Sequence, residues 1–122
     1  MKSALFLILT MLSCSASAAW TEVTKNDVGD TFYIDFDTLK KDGQKRTYWQ
    51  WTDFKEPIGK YYSSRLKFIL DCGQETLISV SVSYFTQNGL RGESLDPEPT
   101  GKVVHVVPNT SGSTIMSKVC SK

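Results

Sequence analysis

KYYSSRLKFILDC, residues 60–72, is the longest unbroken alternation in the chain and decides how the rest is read. Successive side chains of an extended strand point to opposite sides. Tyr62, Ser64, Leu66, Phe68, Leu70 and Cys72 therefore share one face, and Tyr61, Ser63, Arg65, Lys67, Ile69 and Asp71 share the other. The first set is the more apolar and is expected to be buried. It ends in a cysteine, which hints that something is fastened to that face.

Outward from this strand, turn residues bound further runs of the same period. Gly73 and Gln74 lead into residues 76–86, where Ile78, Val80, Val82 and Tyr84 alternate with Leu77, Ser79, Ser81, Ser83 and Phe85. Upstream, Pro57 and Gly59 set off a strand at residues 45–54, which Lys41, Asp42 and Gly43 introduce as a tight turn. Residues 20–25 and 31–34 read as short strands joined through Asp27, Gly29 and Asp30, and residues 35–39 as a turn or single helical turn. Residues 87–101, with Gly89, Gly92, Pro97 and Pro99, read as a polar loop before a last strand at residues 102–107.

After Pro108 the period changes. Ile115, Met116, Val119 and Cys120 form one apolar stripe on a helix, with Asn109, Thr110, Ser111 or Ser113 available to cap its start. A helix this short does not hold alone in water. It needs a sheet face to lie on, and the stripe ending in Cys120 points to the face that carries Cys72. The expected fold is α+β, an antiparallel sheet of about six strands with a C-terminal helix tethered to one face by a Cys72–Cys120 disulfide. In the entropic account such a bridge contributes about 4 kcal/mol, a large share of the about 5–15 kcal/mol that holds a typical domain folded.

Residues 1–18 read as an export signal. Lys2 supplies the positive start, residues 4–12 are mostly apolar, and Ala16, Ser17 and Ala18 give an A-x-A cleavage pattern. The mature domain is then residues 19–122. The apolar run falls short of the roughly 20 residues a membrane span needs, and no later stretch qualifies, so no transmembrane segment is expected. Export puts Cys72 and Cys120 in an oxidising compartment, where a pair of cysteines defaults to a disulfide. Cys14 lies in a stretch resembling the bacterial lipobox, with Met11 at the usual leucine place and Leu12 where a small residue is usual. It is the candidate lipidation site, although cleavage after Ala18 would remove it. The expected location is the periplasm, the cell surface or the medium.

The chain has 14 basic and 13 acidic residues, and loss of Lys2 leaves the mature domain with no net charge. That balance lacks the footprint of a nucleic-acid binder. With one histidine, His105, the chain has no spare parts for a Ser-His-Asp or Cys-His constellation. Asp27, Asp30, Asp35 and Asp37 are spaced as turn and helix-start residues rather than as a metal cage. No glycine-rich phosphate loop is present. These readings lead to a protein that is not an enzyme and uses no metal or cofactor.

Several pieces, taken in order, carry a resemblance. They are Trp20, the Tyr33-Ile34-Asp35 step, Tyr48-Trp49-Gln50-Trp51, the run from Tyr61 through Asp71 and Cys72, and Val107-Pro108 continuing to Val119-Cys120. Over nearly the whole mature chain this resembles the surface-adhesin protein E family of bacteria. The resemblance implies a six-stranded antiparallel sheet whose concave face holds a disulfide-tethered C-terminal helix. It also implies surface display and binding of host extracellular-matrix proteins such as vitronectin and laminin. It carries over the two cysteines and no individual ligand contact.

Tyr61, Arg65 and Lys67 alternate outward on the long strand, a mixture of aromatic and basic groups suited to protein contacts, and they are the candidate ligand-binding residues. Trp49, Trp51, Tyr48 and Phe54 put aromatic bulk on both faces of one strand. A single helix covers only one side of a sheet, so the other side calls for loops, the N-terminal strand or a second subunit in a homodimer. The function expected is an exported, non-enzymatic protein-binding module. The alternative is a periplasmic structural or accessory envelope protein with no host ligand.

Overall fold

The computed structural model describes residues 19–122; the stretch read as an export signal, with Cys14, lies outside the described residues. The strands are β1 (Trp20–Lys25), β2 (Thr31–Asp42), β3 (Lys45–Ile58), β4 (Tyr61–Asp71), β5 (Thr76–Gln87), β6 (Arg91–Leu95) and β7 (Val104–His105), followed by the helix α1 (Ser111–Cys120). The first six form an antiparallel meander in chain order, and β7 pairs with the start of β5. This is the six-stranded sheet with a C-terminal helix that the period-two pattern implies.

Register sorts the side chains into two faces. Ile34 is opposite Gln50, Gln50 opposite Leu66, Tyr48 opposite Phe68, and Arg46 opposite Leu70. On this inner face α1 sets Ile115 and Val119, which close a core with Ile34, Tyr48 and Leu70. The helix begins at Thr110, whose hydroxyl accepts from the Ser113 N–H (3.2 Å) while the Ser113 hydroxyl accepts from the Thr110 N–H (3.0 Å). This reciprocal cap satisfies two backbone donors that the helix itself cannot. At its other end Cys120 is bonded to Cys72, with Cα atoms 5.9 Å apart.

Three elements differ from the sequence reading. Residues 35–39 are not a turn between strands: β2 runs through them, with a register shift between Asp35 and Lys40. Asp35 explains the turn-like signal, since its carboxylate accepts from the Asp37 N–H (3.1 Å) and the Thr38 hydroxyl (2.9 Å), a local turn held inside a strand. In β5 a bulge breaks the single alternation. Lys67 is opposite Ser81 but Phe68 is opposite Ser79, so Val80 is skipped, Leu77 turns to the core and Ile78 turns outward. The sixth strand of the meander comes from Arg91–Leu95, inside the stretch read as loop, while the strand expected at residues 102–107 shrinks to the two residues of β7. Every residue of β6 is exposed, so it carries no apolar alternation that a sequence could reveal.

Candidate functional site

The outer face is built from the same strands. Trp20 is opposite Asp35, Asp35 opposite Trp49, and Trp49 opposite Lys67; one row along, Glu22 is opposite Tyr33, Tyr33 opposite Trp51, and Trp51 opposite Arg65. Two aromatic groups result. In the first, Tyr33 stacks on Trp51 with ring centroids 4.0 Å apart and planes 16° from parallel, and Trp20 meets Trp51 edge-on at 6.0 Å. The N-terminal strand is thus what covers Trp51. The Trp51 indole N–H is buried without a hydrogen-bond partner among the described residues. Burial, followed by the nearby charges of Glu22 and Asp53, raises the Tyr33 phenol above its ordinary pKa.

The second group centres on Trp49. The Arg65 guanidinium lies 5.4 Å from its ring centroid and the Lys67 ammonium 5.7 Å, and Arg65 also sits 5.8 Å from the Phe85 ring. Each cation gains from the negative face of the ring. Arg65 and Lys67 are two apart on one strand face, so their Cα atoms stand roughly 7 Å from each other. Among the described residues the one ion pair within 4.0 Å joins Lys25 to Glu22, which leaves both cations without a carboxylate partner. Beside them Trp20, Asp35, Thr38, Trp49 and Arg65 border a groove of about 350 Å³. Asp35 is buried there with its oxygens engaged by Asp37 and Thr38.

Of the three candidate ligand contacts, the fold brings Arg65 and Lys67 together and places Tyr61 apart from them. The Tyr61 ring lies 5.5 Å from Tyr84, whose opposite residue is Ser64, whereas Arg65 packs on Trp49 and Phe85. Ser63, in the outward set, is fully buried and donates to the Gln87 carbonyl (2.6 Å). The β5–β6 turn is fixed by Asn88, which donates to the Asp53 carboxylate and to the Phe54 and Tyr62 carbonyls. The sequence reading missed Trp20 and Phe85 as members of this face. An aromatic residue in an outward register was the available signal, but pairing them with Trp51 and Arg65 requires knowing the neighbouring strands. His105 is an exposed residue of β7, and no group of three His, Cys, Asp or Glu side chains among the described residues is placed to hold a metal.

Comparisons with known proteins agree with this architecture. The family described as Surface-adhesin protein E matches residues 20–121. No curated protein matches the sequence. Among solved structures, crystal form II of Haemophilus influenzae protein E is similar with a TM-score of 0.66 at 18% identity, over 86% of this chain and 89% of that one. A further structure of Haemophilus influenzae protein E gives 0.63 at 19% identity over 86% of each chain. Protein E from non-typeable Haemophilus influenzae gives 0.59 at 18% identity over 88% and 79%. At these identities the structural likeness speaks for the fold.

Proposed function

Because this chain belongs to the surface-adhesin protein E family, an adhesin-like class of surface proteins, we propose that it is an exported, non-enzymatic module that holds a protein ligand on its outer sheet face. The observation that carries this reading is the pair Arg65 and Lys67, laid on Trp49 with no carboxylate of their own. Two like charges side by side repel, and an aromatic bed offsets that only in part. An acidic segment of a partner supplies the missing charge, while Trp49 and the groove next to Trp20 offer the aromatic anchoring typical of interface centres. The N-terminal strand covers Trp51, so this arrangement needs no second copy of the chain.

Host matrix proteins such as vitronectin and laminin are the ligands this reading names first. Processing before Ala19 and display beyond the inner membrane go with it. The test is a titration of the mature domain, residues 19–122, against purified vitronectin, purified laminin and isolated envelope fractions, alongside protease accessibility on intact cells. Saturable binding to a matrix protein, with the domain accessible from outside, is the expected result. Capture by an envelope fraction alone, with the domain protected in intact cells, would replace this reading with the periplasmic accessory role.

A further inference from the structure

The sheet edge beyond β5 is interrupted. β6 ends with Leu95 opposite Tyr84, β7 begins with Val104 opposite Leu77, and both run antiparallel to β5. They are the two ends of one edge strand. The residues between them, 96–103, leave the ladder, and among the described residues no backbone hydrogen bond joins them to β5. Proline explains the break: Pro97 and Pro99 have no N–H to give, and each keeps the residue before it, Asp96 or Glu98, in extended backbone. Exposure alternates along this segment, with Asp96, Glu98 and Thr100 exposed and the two prolines half-buried. Both carboxylates therefore stand on one side.

That side is the one carrying the cations. Continued past Leu95, the β5–β6 register sets Asp96 against Ser83 and Glu98 against Ser81. Ser83 is opposite Arg65, and Ser81 is opposite Lys67. Each acid thus falls in the row of one cation, two strand spacings or roughly 10 Å away across a serine. The nearer aspartates are already engaged: Asp35 accepts from Asp37 and Thr38, Asp53 from Asn88 and Gly89, and Asp71 from Gly73 and Gln74. Asp96 and Glu98 have no cation within 4.0 Å among the described residues, so the segment stands open here.

We propose that residues 96–99 form an internal acidic strap that closes over Ser81 and Ser83 onto Arg65 and Lys67 and competes there with the protein ligand. This rests on the reading of Arg65 and Lys67 as the ligand-binding pair and adds its regulation. Length permits the motion. From Leu95 to Val104 the strap side takes nine residue steps where β5 takes seven, roughly 31 Å of reach against 24 Å, so the strap lies along the edge or stands off it with β6 and β7 in place. Strength suits a competitor: two exposed ion pairs shift such an equilibrium by about 3- to 10-fold, and a ligand's apparent affinity falls by the fraction of chains left open. The strap also describes the ligand it imitates, an extended segment with two acidic residues two positions apart.

The first measurement needs no ligand. Nitrogen-15 NMR of the mature, disulfide-bonded domain follows the Arg65 Nε–H and the Trp49 indole N–H in the parent and in the double variant Asp96→Asn with Glu98→Gln. The substitutions are expected to move both signals at low salt, and the difference should vanish near 1 M salt, where charges are screened beyond about 3 Å. Signals that do not move, or that move equally at both salt concentrations, overturn the proposal. The second measurement titrates both chains with vitronectin and with laminin at low salt. The neutral variant should bind about 3- to 10-fold more tightly than the parent, and equal or weaker binding overturns the competition. Should neither matrix protein bind either chain, the ligand reading fails separately, and the free peptide of residues 95–101 becomes the probe. The variant should then bind that peptide and the parent should bind it about 3- to 10-fold more weakly; no binding to the variant overturns the strap.

Discussion

The two faces of this sheet are made by the same strands and end in opposite states. On the inner face Tyr48, Leu70, Ile34, Ile115 and Val119 satisfy one another, and the Cys72–Cys120 bridge holds the helix in place. On the outer face the Trp51 ring is covered by Tyr33 and Trp20, although its indole N–H has no partner among the described residues, and Trp49 carries two cations with no carboxylate within 4.0 Å among the described residues. One face accounts for the stability of the domain. The other holds chemistry that folding leaves unfinished, and that contrast is what the proposed binding surface rests on. Substitutions should therefore separate cleanly: inner-face changes move stability, and changes around Trp49 move binding.

The largest expected effect is loss of the bridge. Cys120→Ser releases the constraint across 48 residues of sequence separation and should lower unfolding stability by about 4 kcal/mol in denaturant titrations. A loss below about 1 kcal/mol would mean that the helix stays docked on packing alone. Next, Ile115→Ala removes a buried anchor of the helix and should cost about 2–4 kcal/mol, with binding to the outer face retained at temperatures where the variant is folded.

A pH effect sharpens the same comparison. Burial alone pushes the Tyr48 phenol well above its ordinary range. The folded chain then keeps a proton that the unfolded chain releases near the usual tyrosine value of about 10. Its contribution is complete below about pH 10 and is lost as pH rises beyond it. Urea titrations at about pH 9 and about pH 11 should show stability falling, and Tyr48→Phe should remove part of that slope. Tyr33→Phe, on the more open outer face, should change it less.

The sequence made the inner face legible because it encodes that face locally. Leu66, Phe68, Leu70 and Cys72 alternate without interruption, and Ile115, Val119 and Cys120 repeat at helical spacing. Bulges were not legible, because skipping Val80 leaves each half of β5 alternating correctly and only the partner strand shows the change of face. β6 was hidden for a different reason: with all five residues exposed, its pairing with β5 is backbone hydrogen bonding that writes nothing into side-chain pattern. The candidate site was legible in half. Arg65 and Lys67 lie in one strand and were found, whereas Trp20 and Phe85 reach them or Trp51 only across strands, and Tyr61 turned away to Tyr84.

The smallest expected effect on stability belongs to the charge pair, and it carries the most direct test. Arg65→Glu with Lys67→Glu removes three cation–π contacts worth about 0.5–1 kcal/mol each, so stability should fall by no more than about 1.5–3 kcal/mol, with the fold and the disulfide kept. Titrating parent and double variant with vitronectin and with laminin, at several salt concentrations, isolates the electrostatic contribution. The account predicts at least about 10-fold weaker binding in the double variant at low salt and a flatter dependence on salt. Equal affinity with an equal salt slope would contradict it and move the binding surface away from Trp49.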